Sequence, residues 1–251
     1  LEAAERLILD AFSSRLWLVQ LPKALREAGR LFAALPRQEA TLPLIFITGE
    51  FFANLAHNDG NYDLRRFIGD EGAEAIPGLF VQRILYDNWR RTQEALRGIE
   101  YATTTKDLKS WKKRLRKQKT STAVIMWFWK KLRTAFNPES FGGRAEIFDL
   151  DHLADLGREY YHPEIFGGEG NLEIAEAVHY ADKADGMISS KPFGCMPSSG
   201  VSDGVMTKVM ARHPQINFLS IETSGDNEVA ILGRVSMLIF KAKQNVSTRL
   251  H

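Results

Sequence analysis

"PLIFITGE", residues 43–50, is a short unbroken apolar run closed by a glycine. A strand with one wet face alternates apolar and polar side chains. An unbroken run belongs to a strand buried on both faces, as in a parallel sheet covered by helices on both sides. Three later stretches read as further strands: "AEAIPG" (73–78), "DGMISS" (185–190) and "INFLSIE" (216–222). Helical patterns separate them. Strands alternating with helices predict an open, mostly parallel α/β sheet of four strands. Right-handed crossovers then favour the order 2-1-3-4, a Rossmann/flavodoxin-like arrangement.

Working outward from the first strand, residues 1–35 show apolar side chains at helical spacing, among them Leu7, Ile8, Ala11, Leu25, Ala28 and Phe32. Pro22 is expected to break or kink this segment and Pro36 to end it. Residues 61–72 predict a short helix with Asn61 as N-cap, Leu64, Phe67 and Ile68 inside, and Gly72 just past the end. Residues 79–98 and 106–136 are helical again, and about 86–145 reads as a helical insertion, with Gly142 and Gly143 at its end. Helices over 149–161, from Asn171 as N-cap, over 201–212 and over 228–243 complete the rhythm, with Asp226 and Asn227 capping the last. The expected division is an N-terminal helical segment, 1–40, followed by a Rossmann-like domain, 41–251, that carries the insertion.

Composition narrows the class. A chain of 251 residues with a net charge of +2 and 44% hydrophobic side chains has room for a large core and is not a global polyanion binder. One cysteine permits no internal disulfide and suits a reducing, cytoplasmic compartment. No apolar run approaches the roughly 20 residues of a membrane span. The first residues, "LEAAERLILD", have neither Met nor a signal-peptide layout and read like a cut from something longer.

In an open parallel sheet, ligands bind beyond the carboxyl ends of the strands, where the strand order reverses. Three segments should converge there: "TGEFFANLAHNDGN" (48–61), "KPFGCMPSSG" (191–200) and "TSGDNE" (223–228). Cys195 is the single cysteine, and it precedes a predicted helix whose dipole favours thiolate. The other reading is a small residue packed in a turn. His57, His162 and His213 are possible bases, yet no local signature ties any of them to Cys195. Nor does any spacing support zinc.

The pieces "GE…N" (Gly49, Glu50, Asn61), "DEGAEAIPG" (70–78), "HPEIFGGEGNLEIAEAVHYADKADGMISSKPFGCMPSS" (162–199) and "INFLSIETSGDNE" (216–228) together resemble the 2-hydroxyglutaryl-CoA dehydratase D-component-like family. The nearest branch is the C-terminal part of large enzyme activases specific for CoA substrates. The resemblance covers roughly residues 40–243, and "PFGCMP" is its most specific block. It implies a Rossmann-like fold, and a [4Fe–4S] cluster held by cysteines from different domains. In such dehydratases an ATP-driven activator passes one electron through the cluster to a 2-hydroxyacyl-CoA. Cys195 matches the cysteine of the family's final motif, so it is the implied cluster ligand. Its co-ligands would lie upstream in the same parent chain or on a partner subunit, and this chain alone is not expected to hold a cluster. Glu50 matches a site position as proton or hydrogen-bond acceptor. Asn61, His162 and Glu169 match candidate substrate-site positions, with acyl-CoA as the implied substrate. The rival readings are a docking domain without a cluster and a small-molecule-binding module without redox chemistry.

The insertion at 86–145 matches only loosely, mainly as helix, and one stretch of it is weighed by itself. "KDLKSWKKRLRKQKT" (106–120) places Lys112, Lys113, Arg114, Arg116, Lys117 and Lys119 beside Trp111. This pattern suits a solvated helix face, a docking face, or contact with phosphates of CoA or a nucleic acid. The near-neutral chain as a whole argues against the last.

Overall fold

The computed structural model describes all residues except 37–40, 57–59, 142–146, 166, 226, 250 and 251. His57, Gly142, Gly143 and Asp226 therefore lie outside the described residues. The chain divides into two compact units, one of Leu1–Glu39 with Arg83–Ile147 and one of Ala40–Gln82 with Phe148–His251.

The second unit holds the sheet. Strands β1 (Leu44–Gly49), β2 (Glu74–Pro77), β3 (Gly186–Pro192) and β4 (Phe218–Thr223) are all parallel, in the order β2-β1-β3-β4. The protein is thus an α/β protein with the 2-1-3-4 order of a flavodoxin-like sheet. The alternation of a strand explains its two cores. Ile45 and Ile47 face one side with Ile188 and Ile221, under α4 (Leu64–Asp70) and α10 (Glu228–Arg249). Phe46 and Met187 face the other, under α8 (Gly170–Tyr180) and α9 (Asp203–Arg212). Phe46 stacks on Tyr180 with ring centroids 3.9 Å apart. Every residue of α8 from Gly170 to Ala177 is buried, so this helix has no wet face there.

The first unit is helical. It comprises α1 (Glu2–Ser13), α2 (Trp17–Ala33), most of α5 (Phe80–Glu100) and α6 (Thr105–Phe136). The break near the N-terminus falls at Ser14–Leu16 and not at Pro22, which lies inside α2. Pro22 removes one backbone donor, the one a helix would turn to the Leu18 carbonyl, and the helix continues through it to Ala33. Two caps also differ from expectation. The N-cap of α4 is Asp63, at φ 47°, and not Asn61. The N-cap of α8 is Glu169, while Asn171 lies within the first turn and donates to the Tyr161 carbonyl at 3.0 Å. Gly72, at φ 72°, does end α4. Among the described residues, no helix is long and apolar enough to cross a membrane.

Candidate functional site

β1 ends at Gly49, whose φ of 116° is one that side chains rarely adopt. A Cβ there would overlap the Ser190 carbonyl of β3. That same carbonyl accepts from the Glu50 amide at 2.9 Å. Glycine thus lets the end of β1 press directly onto β3. Glu50 then caps the short helix α3 (Phe51–Leu55), its Oε2 accepting from the Ala53 amide at 3.0 Å. Glu169 reaches in from the loop before α8 and accepts from the Phe51 amide at 3.1 Å. The structure therefore brings Glu50 and Glu169 to one helix start, each satisfying an amide left open by the helix geometry.

Asn61 is buried, and its Nδ2 donates to the Ala53 and Ala56 carbonyls, both at 2.9 Å. It staples the segment after β1 closed. His162 is exposed, and its Nδ1 accepts from the Glu164 amide at 3.3 Å. The structure does not bring it together with Glu50 or Cys195 through any hydrogen bond or ion pair among the described residues.

Cys195 stands just past β3. Its amide donates to Pro192 at 3.3 Å and its carbonyl accepts from Ser199 at 2.8 Å. The thiol is half-buried and makes no hydrogen bond among the described residues. It belongs to neither core cluster. Gly194, at φ 80°, turns the chain ahead of it, and Phe193 and Met196 on either side are 80% and 73% exposed. A π-helical turn, Met196–Ser202, follows, a geometry that recurs at functional sites. The loop carrying Glu169 rests on this turn, since a Cβ on Gly168 would come within 2.6 Å of Pro197. Ser202 Oγ binds the two together through the Gly170 and Pro197 carbonyls, at 3.3 and 3.0 Å.

Beneath these loops lies a polar layer that the sequence reading missed. Thr48, Ser189 and Ser220 are register partners across β1, β3 and β4. Each hydroxyl donates to a carboxylate from the covering helices: Thr48 to Glu176 at 2.8 Å, Ser189 to Glu173, and Ser220 to Asp203 at 2.7 Å. Lys191 is fully buried, pairs with Asp203 and lies 3.9 Å from Glu173. Burial raises the Glu173 carboxyl above its ordinary value, opposed by Lys191 and Ser189. Burial also pushes Glu176 up to about 8; the Thr48 hydrogen bond opposes this and the Glu173 charge adds to it. Ser198 lies near enough to favour the Glu173 carboxylate, yet its hydroxyl and Glu173 Oε2 remain buried without a proper hydrogen bond. The sequence does carry a signal for this layer. Glu173 and Glu176 stand three apart in a stretch, Leu172 to Val178, whose other residues are apolar, and Lys191 follows the third strand's run.

An open cavity of about 580 Å³, lined by Asp182, Asp185 and Gln215 among others, lies at the amino ends of β3 and β4, opposite to this site. Cys195 can supply at most one ligand of the iron–sulfur cluster that the resemblance implies, so the residues present do not fit a whole cluster. A cubane takes about four thiolates, and Cys195 is the single thiol. Among the described residues, no three His, Cys, Asp or Glu side chains are grouped to hold a metal ion.

Fold and site together define a Rossmann-like α/β protein with its loops and buried charges gathered at the carboxyl ends of β1 and β3. Compared with known proteins, the chain matches no family model, no curated protein and no solved structure.

Proposed function

We propose that this chain is a cytoplasmic Rossmann-like domain of a protein similar to the 2-hydroxyglutaryl-CoA dehydratase D-component-like family. In this role it lends Cys195 as one thiolate to a cluster whose other ligands lie outside the chain. It thereby supports ATP-coupled, low-potential electron transfer toward an acyl-CoA. One observation carries the proposal: the single thiol is half-exposed at the strand-order switch, with no hydrogen bond among the described residues and no place in either core. A cysteine kept for packing would be buried in a cluster. Glu50 and Glu169 are half-buried neighbours of the same rim and serve first as helix caps. No reaction step is assigned to them.

The test is made on the protein in which this chain occurs together with its co-ligands, purified without oxygen. Iron, acid-labile sulfide and the EPR spectrum after reduction are compared with those of Cys195→Ser. Loss of iron, or a changed signal in a folded variant, is the expected result. Unchanged iron and an unchanged spectrum would overturn the role of Cys195.

The exposed Phe193 and Met196 favour a second reading, a docking domain without a cluster. In that case Cys195→Ser leaves the iron content unchanged, and Phe193→Ser weakens assembly.

A further inference from the structure

Between Lys106 and Lys119, helix α6 carries eight cations and one acid, Asp107, although the whole chain has a net charge of only +2. All eight side chains are exposed. Arg114 lies over the Trp111 ring at 4.5 Å, and among the described residues none of the eight joins an ion pair. The global balance hides a concentrated local field.

The apolar flank of the same segment is already used. Leu108, Trp111 and Leu115 are half-buried. Gly98 of α5 lies so close to the Trp111 ring that no Cβ would fit between them. One register further on, Asn88 of α5 donates to Ser121 at 3.0 Å. Every exposed position from Thr105 to Thr120 is charged or hydroxyl-bearing. An interfacial membrane helix must bury an apolar face among lipid chains, and this segment has none left to bury.

Charge placement points further. At 3.6 residues per turn, the eight cations span roughly 220° of the helix circumference, on both flanks of its outer face. A flat bilayer or a protein face meets one line of such a helix. The groove of a duplex presents phosphates on both sides. The segment is about 20 Å long, and a duplex carries a charge about every 1.7 Å of its axis.

We propose that residues 105–119 of α6 form a sequence-independent contact surface for the phosphate backbone of a nucleic-acid duplex. This surface belongs to the helical unit and does not depend on the role of Cys195.

The test uses the full chain and a fluorescent DNA duplex of about 20 base pairs, titrated between about 50 and 200 mM salt. The variant is Lys112→Gln/Lys113→Gln/Arg116→Gln/Lys117→Gln, all at exposed positions outside any ion pair. Circular dichroism confirms its fold. The wild type should bind at low salt and weaken steeply as salt rises. The variant should bind at least ~10-fold more weakly at low salt, with a log–log slope shallower by about 3 to 4. Three results would each overturn the proposal. One is no duplex binding at the lowest salt. Another is identical affinity and slope for the variant. The third is tighter binding to phosphatidylserine-containing vesicles, or to polyglutamate of matched charge, than to the duplex.

Discussion

Lys191, fully buried, and Asp203, 28% exposed, close an ion pair across the base of the segment that carries Cys195. Lys191 sits near the end of β3 and Asp203 opens α9, so the pair joins the two ends of the intervening turn. Its Nζ is fully buried, and Asp203 also accepts from Ser220 at 2.7 Å. Removing Asp203 leaves the fully buried Lys191 with Glu173, 3.9 Å away, as its remaining acid. Asp203→Ala should therefore cost about 1.5–3 kcal/mol, measured by urea unfolding. Lys191→Met/Asp203→Leu should recover part of that loss, because Glu173, already raised by burial, takes up a proton once Lys191 is gone. A double variant as unstable as the single one would contradict the pairing.

Glu176 should make stability fall as pH rises. Its folded value is raised from the ordinary 4.5 to about 8. Between those values the folded state holds a proton that the unfolded state has released. The stability is fully present below about 4.5 and is lost as pH rises through about 8. Glu173, also raised by burial, acts with the same sign. Melting temperatures from pH 5 to 9 should show the decline. Glu176→Gln keeps an acceptor for Thr48 without a charge, so its curve should be flatter and lie above the wild type at the alkaline end. Parallel curves would show that Glu176 titrates alike in both states.

Gly49→Ala should be severe for a single methyl group. The backbone is at φ 116°, and the added carbon would overlap the Ser190 carbonyl. Strain and lost pairing at the β1–β3 junction should cost more than about 2 kcal/mol. Thermal or chemical unfolding checks this directly.

Asn61→Asp tests the staple after β1. The shape is kept, but both donations, to Ala53 and Ala56, are lost in a site that is 1% exposed. A loss of about 2–3 kcal/mol is expected. Hydrogen exchange should show faster amides in α3 while those of α8 stay protected.

Cys195→Ser should leave stability within about 0.5 kcal/mol. The thiol is half-exposed and makes no hydrogen bond among the described residues, so packing loses little. A melting temperature near that of the wild type makes the iron measurement on the same variant interpretable.

Much of the fold was legible in the chain because burial leaves a periodic trace. "PLIFITGE" could be read as a doubly covered strand from its own residues, and the four strands with their crossovers left few orders to choose among. The position of Cys195 beyond β3 followed from the same rhythm. Caps were less legible, because a cap depends on the path of the chain before the helix. Asn61 and Asn171 are good capping residues by type, yet both were drawn inward to backbone carbonyls of neighbouring segments.

By itself, the sequence determined the α/β class, the strand order, the place of the single thiol and the basic character of α6. These depend on local periodicity and composition. Only the tertiary structure decided that Thr48, Ser189 and Ser220 form one row, each meeting a carboxylate, with Lys191 buried among them. These residues are up to 172 positions apart, from Thr48 to Ser220. Strand register sets their contacts and dehydration sets their protonation, and both exist only once the sheet and its helices have closed.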